Sequence, residues 1–387
     1  MLCVNTKFTK VRYLYLLVGF FLYMVDVGTD MWVAVQFYNS GHYAWFALTI
    51  LFVLTGSLVP QIFSYVWLSD DRESEISFSG ITRTQHIFLH VLQLGIFTRY
   101  CQLLKKGSSV FQKEYKREED FEVFAMTTDL SMLRLFEMFL ESAPQLLLQL
   151  YIILGCDHRS IVQYLCIAGS FLSIAWATVE YRRCFRRSSP HIKEMPSGLP
   201  TAVYLFYKLF TIGSRILSLS LLVVLNLYCI SALLFLWLCG TLWAHKLQTD
   251  FCTSRCLEWF YRGIVGIILI FSFFNIKGQN ARASMTVYYG LYTSQNLAFI
   301  LLFYLLNPRA ATSSYFLPVT LVIVGSQVAG LICLMVFYAF LNQRSEERTA
   351  QIADEVDGQE EKWTGPDNGM DNGMESCEKR MKAFMQH

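Results

Sequence analysis

The sequence predicts an all-α polytopic membrane protein: eight membrane-spanning helices plus two re-entrant half-membrane segments, arranged as two parallel pseudo-symmetric repeats with cytosolic N- and C-termini. Three observations carry this expectation. Of 387 residues, 54% are hydrophobic and only 16% charged, against ~25% charged in a soluble domain. The apolar runs repeatedly reach the ~20 residues that a helix needs to cross the hydrocarbon. Lys and Arg collect in short clusters between the runs, where they hold loops in the cytosol. Backbone amides cannot stay unpaired in lipid, and the runs are too long and too uniformly apolar to alternate as barrel strands, so the spans are helices.

The apolar runs fall near 13–38, 43–68, 86–104, 129–154, 161–181, 200–226, 229–245, 260–276, 286–306 and 315–341. Residues 1–12, with Lys7, Lys10 and Arg12, form a cytosolic N-terminus. The first run lacks a cleavage site and is a retained span rather than a signal peptide. The 39–43 turn has no Lys or Arg and the next loop carries Arg72 and Arg83, so the first two runs cross out and back. The third run has basic residues on both flanks, with Lys105, Lys106, Lys113, Lys116 and Arg117 after it, and is expected to enter and turn back. It contains His86, His90, Gln93, Gly95 and Arg99, which must be shielded by protein or line a wet cavity. The fourth and fifth runs cross out and back again, ending on Arg182, Arg183, Arg186 and Arg187.

Residues 13–187 therefore read as a first transmembrane repeat and 188–341 as a second. The second has a pair of spans, a short run flanked by Lys246, Arg255 and Arg262 before and Lys277 and Arg282 after, and another pair. Parallel repeats pack about an axis along the membrane normal, with a functional path expected near their interface. Residues 342–387 form a cytosolic regulatory tail with 11 Asp or Glu against 6 Lys or Arg, expected to be largely disordered. Near its end Met381, Phe384 and Met385 stand at helical spacing, as an amphipathic turn that docks or as a frayed end.

Polar residues stand where lipid should be. Asp26 and Asp30 lie four apart on one face of the first span. An isolated carboxylate at the bilayer centre costs ~2.5–3.5 kcal/mol, so this stripe must face the bundle or water. The fourth run holds Asp129, Arg134, Glu137 and Glu141, with Arg134 placed to pair with Glu137 and Pro144 placed to loosen the helix beyond. Glu180 with Arg183, and Lys208 with Arg215, are further candidates. Packed ion pairs that lock helices together would explain any one pair; a whole lane of charges asks for more.

The sequence gives no support to an enzyme. His86 and His90 make one H-x3-H, whereas membrane di-iron enzymes need several and the chain has seven His. His245 to Asp250 matches an acyltransferase H-x4-D without its companion phosphate-binding motif. Asp26 and Asp30 share a helix, unlike the dyad of an intramembrane aspartyl protease. No G-x4-G-K-[ST] is present to drive transport with ATP. The 11 Cys are scattered on the reducing side, and Cys252 and Cys256 lack a second ligand pair for zinc, so neither a metal nor a cofactor is expected. No N-x-S/T sequon occurs, and the net charge of +2 gives no reason to expect nucleic acid.

In the tail, Asp354, Glu355, Val356 and Asp357 precede Gly358. An unstructured acidic tetrapeptide ending in Asp before a small residue suits an executioner caspase, and cleavage would release the last 30 residues. Together VDVGTDMWVAVQF, DLSMLRLFEMFLESAPQL, YRGIVGIILIFSFFNIKGQ and the DEVDG tail resemble the XK-related family of phospholipid scramblases, and most nearly a caspase-activated member. The likeness extends over essentially the whole chain.

That resemblance implies energy-independent phospholipid scrambling at the plasma membrane, switched on by caspase cleavage, so that external phosphatidylserine marks an apoptotic cell for engulfment. It implies a polar track, carried onto Asp26, Asp30, Arg134, Glu137, Glu141 and Arg215, and a gating aromatic, carried onto Trp45. Its implied partners are membrane phospholipids including phosphatidylserine, an executioner caspase and, for some relatives, an accessory single-span subunit. A polar lane would replace part of a headgroup's water while the acyl tails stay in lipid. Two alternatives stand beside this. An ion-coupled secondary carrier would use the same carboxylates, and a non-transporting partner subunit of another membrane protein would be indifferent to them.

Overall fold

The computed structural model describes residues 8–73, 83–112, 117–155, 161–188, 195, 198–247, 249, 252, 254–274, 281–307, 313 and 315–342. The tail residues singled out above, Asp354 to Gly358 and Met381, Phe384 and Met385, lie outside them, as does the side chain of His86.

Among the described residues the chain is nearly all helical. In order come α1 (Lys10–Asn39), α2 (Tyr43–Glu73), α3 (Arg83–Val91), α4 (Gly95–Gln112), α5 (Arg117–Glu137), α6 (Ala143–Gly155) and α7 (Ile161–Ser188). Then follow α8 (Leu199–Leu225), α9 (Ile230–Lys246), α10 (Arg255–Phe271), α11 (Ala281–Leu306) and α12 (Phe316–Val336). Eight stretches, with α5 and α6 counted as one, are long and apolar enough to cross a membrane, as expected for a multi-pass membrane protein.

Local chemistry sets the breaks. Gly41, at φ 75°, takes the left-handed conformation that lets α1 turn into α2. Ser254 caps α10 by accepting a hydrogen bond from the Leu257 amide at 3.2 Å. The fourth apolar run does not start at 129 but continues α5 back to Arg117, and it passes into α6 through a π-helical turn, Met138–Ser142. There the Ala143 amide bonds the Met138 carbonyl, five residues back. Pro144 supplies the reason: it has no N–H for the Leu140 carbonyl and its ring would strike it, so the chain inserts one residue and keeps the helix continuous. The effect read into Pro144 from sequence falls before it, over residues 138–142.

The third apolar run is two helices. α3 and α4 meet at a turn where Gln93 adopts φ 61°. The polar residues of this turn are shielded by α2. Gln61 donates to the Gln93 carbonyl at 3.1 Å and accepts from the Gly95 amide at 3.1 Å, while Ser64 accepts from Arg99 Nε at 2.7 Å and stands 3.0 Å from His90 Nε2.

The α5–α6 unit runs through the interior, with Phe136 and Phe139 packed against Phe63 of α2 and Tyr261 and Phe271 of α10. α9 is the opposite case: only 6% of its apolar window is buried, leaving it facing lipid. α9 holds to the bundle through α10. Gly240 and Gly266 bring the two backbones together, a Cβ on Gly240 lying 3.0 Å from the Gly266 carbonyl oxygen, and Trp237 Nε1 donates to the Gly263 carbonyl at 2.9 Å. Since lipid offers helices no hydrophobic drive to associate, close backbone approach and hydrogen bonds must hold them.

Side-chain contacts fix the relative directions of the helices. Asp26 and Asp30 meet Ser142 and Gln145 in the same order, so α1 and α5–α6 run parallel. Tyr207 meets Tyr289 and Leu221 packs with Phe303, so α8 and α11 also run parallel. α7 is antiparallel to α1 and α12 antiparallel to α8: Tyr15 stacks on Trp176 whereas Val33 packs near Cys166, and Tyr204 meets Phe337 whereas Leu221 packs near Ile323.

Gly266→Val should therefore destabilise the protein by ~1–3 kcal/mol through overpacking, read as a lower unfolding temperature in detergent. Gly290→Ala, with nothing within 4 Å of the added Cβ, should hold or raise that temperature, since Ala outranks Gly in a helix by about 1 kcal/mol.

Candidate functional site

Between α1 and α5–α6 the stripes foreseen in the sequence come together. Asp26, Asp30, Arg134, Glu137 and Glu141 are all buried, at 4%, 2%, 4%, 4% and 4% exposure. These are four carboxylates around one guanidinium. Arg134 pairs with Glu137, one turn along its own helix, and its guanidinium lies 4.7 Å from the Tyr23 ring centroid. Asp26 accepts a hydrogen bond from Ser142 Oγ at 3.0 Å, and Asp30 from Gln145 Nε2 at 2.6 Å. Glu141 is buried in the same cluster.

The π-helical turn makes this possible. It advances the chain by one residue between Glu137 and Ala143, and Ser142 and Gln145 beyond Glu141 become the neutral donors for the α1 carboxylates. Gly56 of α2 completes the enclosure, since a Cβ there would collide with the Glu141 side chain. Glycine lets α2 lie directly on that carboxylate.

Along α1 the order is Tyr23 against Arg134, then Asp26, then Asp30, then the apolar pair Val33 and Phe37. Trp45 stands at this far end, edge-on to Phe37 at 5.6 Å and stacked on His42 at 4.1 Å, with Ile152 and Cys166 behind. Aromatic packing closes the lane there. Toward the other end, Glu180 of α7 lies against Gly19, and Arg183 stacks on Tyr15 at 3.9 Å. Asp129, placed in the stripe from sequence, belongs to Arg99 of α4 at 3.8 Å.

Arg215 is not in this lane. It is buried on α8 and among the described residues donates to neutral oxygens: Ile270 O at 2.9 Å, Asn296 Oδ1 at 2.9 Å and Gln295 Oε1 at 2.6 Å. Asn296 also accepts from Ser218 and donates to Gln327, which accepts from Ser214, so a polar network joins α8, α11 and α12. Lys208, paired with Arg215 as a candidate from sequence, points elsewhere, to Ser272 Oγ at 2.8 Å and Phe273 O at 3.2 Å.

Ser142, Gln145 and Tyr23 escaped sequence reasoning, although Gln145 continues the Glu137 and Glu141 stripe by one more turn. The Asn296, Gln327 and Ser214 network left no comparable trace, because isolated neutral residues in apolar runs carry no charge signal.

The arrangement is a buried polar cluster inside a helical bundle, four carboxylates about one guanidinium, between α1, α2 and α5–α6. Comparisons with known proteins bear on its identity. The family model described as XK-related protein matches residues 14–343. The chain is similar to XK-related protein 9 of Tetraodon nigroviridis, 44% identical over 92% of this chain and 96% of that protein. It is also similar to XK-related protein 8 of Tetraodon nigroviridis, 33% identical over 86% of this chain and 83% of the relative. The same protein from Pan troglodytes is 35% identical over 72% and 70%.

Arg134→Met strands the Glu137 carboxylate in the bundle and should cost ~3–5 kcal/mol, seen as loss of monodisperse protein on size exclusion. The double change Arg134→Met with Glu137→Met should recover much of the folded yield; a double variant no better than the single would break the pairing argument.

Proposed function

The chain belongs to the XK-related family, and from that premise we propose that it is an energy-independent phospholipid scramblase of the plasma membrane, activated by caspase cleavage and exposing phosphatidylserine in apoptosis. The observation that carries the proposal is the buried lane of Asp26, Asp30, Glu137 and Glu141 about Arg134. A phospholipid headgroup in hydrocarbon loses its hydration at prohibitive cost. Carboxylates would take up the amine of phosphatidylserine or the choline of phosphatidylcholine, and Arg134 the phosphate, while acyl chains remain outside. Mixed signs along one stripe favour weak, bidirectional passage down a gradient over a single deep binding pocket.

The described state is closed: the five charged groups are covered, and Trp45 with Phe37 seals one end. Trp45 fits the role of a gating aromatic. Arg215 we assign to a second polar seam, in the half of the chain that begins at α8. The shared directions of α1 with α5–α6 and of α8 with α11 support the reading of two parallel repeats, 13–187 and 188–341, and the α3–α4 turn and the short α10 support the two re-entrant segments. Both termini are placed in the cytosol by the basic loops.

Residues 342–387 are the regulatory tail. A weak contact by Met381, Phe384 and Met385 gains an effective concentration near the millimolar range through a short tether, and cutting after Asp357 removes it. The executioner caspase is then the activating partner. An accessory single-span subunit would find α9, the most lipid-exposed span, open to it.

In liposomes with one fluorescent lipid, Asp26→Asn or Asp30→Asn in caspase-treated protein should slow scrambling by about tenfold or more, a barrier rise near 1.4 kcal/mol. Wild-type rates in well-folded variants would make the lane structural, favouring a non-transporting subunit; rates that follow an ion gradient would favour a carrier.

Asp357→Ala should keep external phosphatidylserine at basal levels in cells given an apoptotic stimulus. Met381, Phe384 and Met385 changed together to Ser should give scrambling without caspase. Equal staining in the first, or a silent second variant that cleavage still activates, would remove the switch or the tail contact respectively.

A further inference from the structure

A second pair of cations, Lys208 buried and Arg182 half-buried, has no part in the lane. Arg182 near the end of α7, Tyr204, Tyr207 and Lys208 of α8, Ser272 after α10 and Tyr338 of the π-helical turn Phe337–Asn342 line one cavity of about 50 Å³. That is roughly three to five times the ~10–15 Å³ one water requires.

The chemistry of its walls is one-sided. Lys208 is 2% exposed and spends two of its three N–H groups on neutral oxygens, Ser272 Oγ and Phe273 O. The Arg182 guanidinium lies 5.0 Å from the Tyr204 ring centroid and 5.5 Å from that of Tyr338. Its Nε has no hydrogen-bond partner among the described residues. Lys208 Nζ is 5.8 Å from the same Tyr204 centroid, so both cations border the same ring. Among the described residues no carboxylate pairs with either.

Buried cations without an anion are costly, and ring faces recover only ~0.5–2 kcal/mol. A compact oxyanion would satisfy what remains: the guanidinium offers a planar fork, the ammonium a point charge, and the hydroxyls of Tyr338 and Ser272 neutral donors. The basic residues 182–187 assign this end of the bundle to the cytosolic face. We propose that this cavity binds a phosphate group, as the phosphomonoester of an inositol phospholipid headgroup or as free phosphate. The site is separate from the scrambling lane and does not depend on that assignment.

The test is ligand binding to the purified full-length chain in detergent, read as a saturable rise in unfolding temperature. One arm uses inorganic phosphate at constant ionic strength; the other uses dioctanoyl phosphatidylinositol 4-phosphate, with dioctanoyl phosphatidylinositol as the control. A rise in both arms supports the site with free phosphate as a sufficient ligand, and a rise with the phosphorylated lipid alone supports it with the headgroup as ligand. No rise in either arm overturns the proposal. Lys208→Met and Arg182→Gln should each weaken binding about tenfold or more, the worth of a charged hydrogen bond. Unchanged affinity in the folded variants also overturns it. If Lys208→Met does not fold, Arg182→Gln, only partly buried, carries the comparison.

Discussion

Everything in this bundle follows from the charge of Arg134 being held inside it. A guanidinium on a helix otherwise apolar enough to span has no water to turn to, so the helix must be central and its neighbours must bring oxygen atoms to it. Glu137 does so from the same helix and Tyr23 offers its ring from α1. Once α1 is drawn in, its own carboxylates need donors, and Ser142 and Gln145 supply them. The apolar residues of α1, α9, α11 and α12 then have nowhere to face but lipid. Burial of polar groups, rather than of apolar ones, decides which helices lie inside.

The two halves of the chain answer the same constraint with different chemistry. The first surrounds a cation with four carboxylates; the second surrounds Arg215 with amides, hydroxyls and a backbone carbonyl. The first array holds ionisable groups in excess of its one cation, whereas the partners of Arg215 are neutral and tie α8, α11 and α12 together.

The spans, their count and the charged stripes were legible because they depend on local properties: run length, basic flanks and spacing of three or four along one helix. Asp26 and Asp30 declared themselves as a pair in this way, as did Arg134 with Glu137. Their true neighbours did not, for Ser142 and Gln145 meet them across 116 and 115 residues and no single-chain pattern encodes that distance. Arg215 was placed in the lane by family likeness, and charge alone could not reveal that α11 claims it. The α3–α4 turn was foreseen as needing shelter, but only packing could show that Gln61 and Ser64 give it. The position of the helix irregularity was displaced because proline acts on the turn that precedes it.

That turn has a mechanical consequence. A helix with one surplus residue is out of phase with itself: relative to an unbroken α-helix, the segment beyond the bulge is turned by about 100° about its own axis. Here the bulge, which ends on Ser142, separates Arg134 and Glu137 from Gln145. Regular winding there would turn Ser142 and Gln145 away from α1 while the ion pair upstream stayed in place, and Asp26 and Asp30 would lose their donors. The facing of α6 toward α1 is therefore set by one surplus residue and kept there by Pro144.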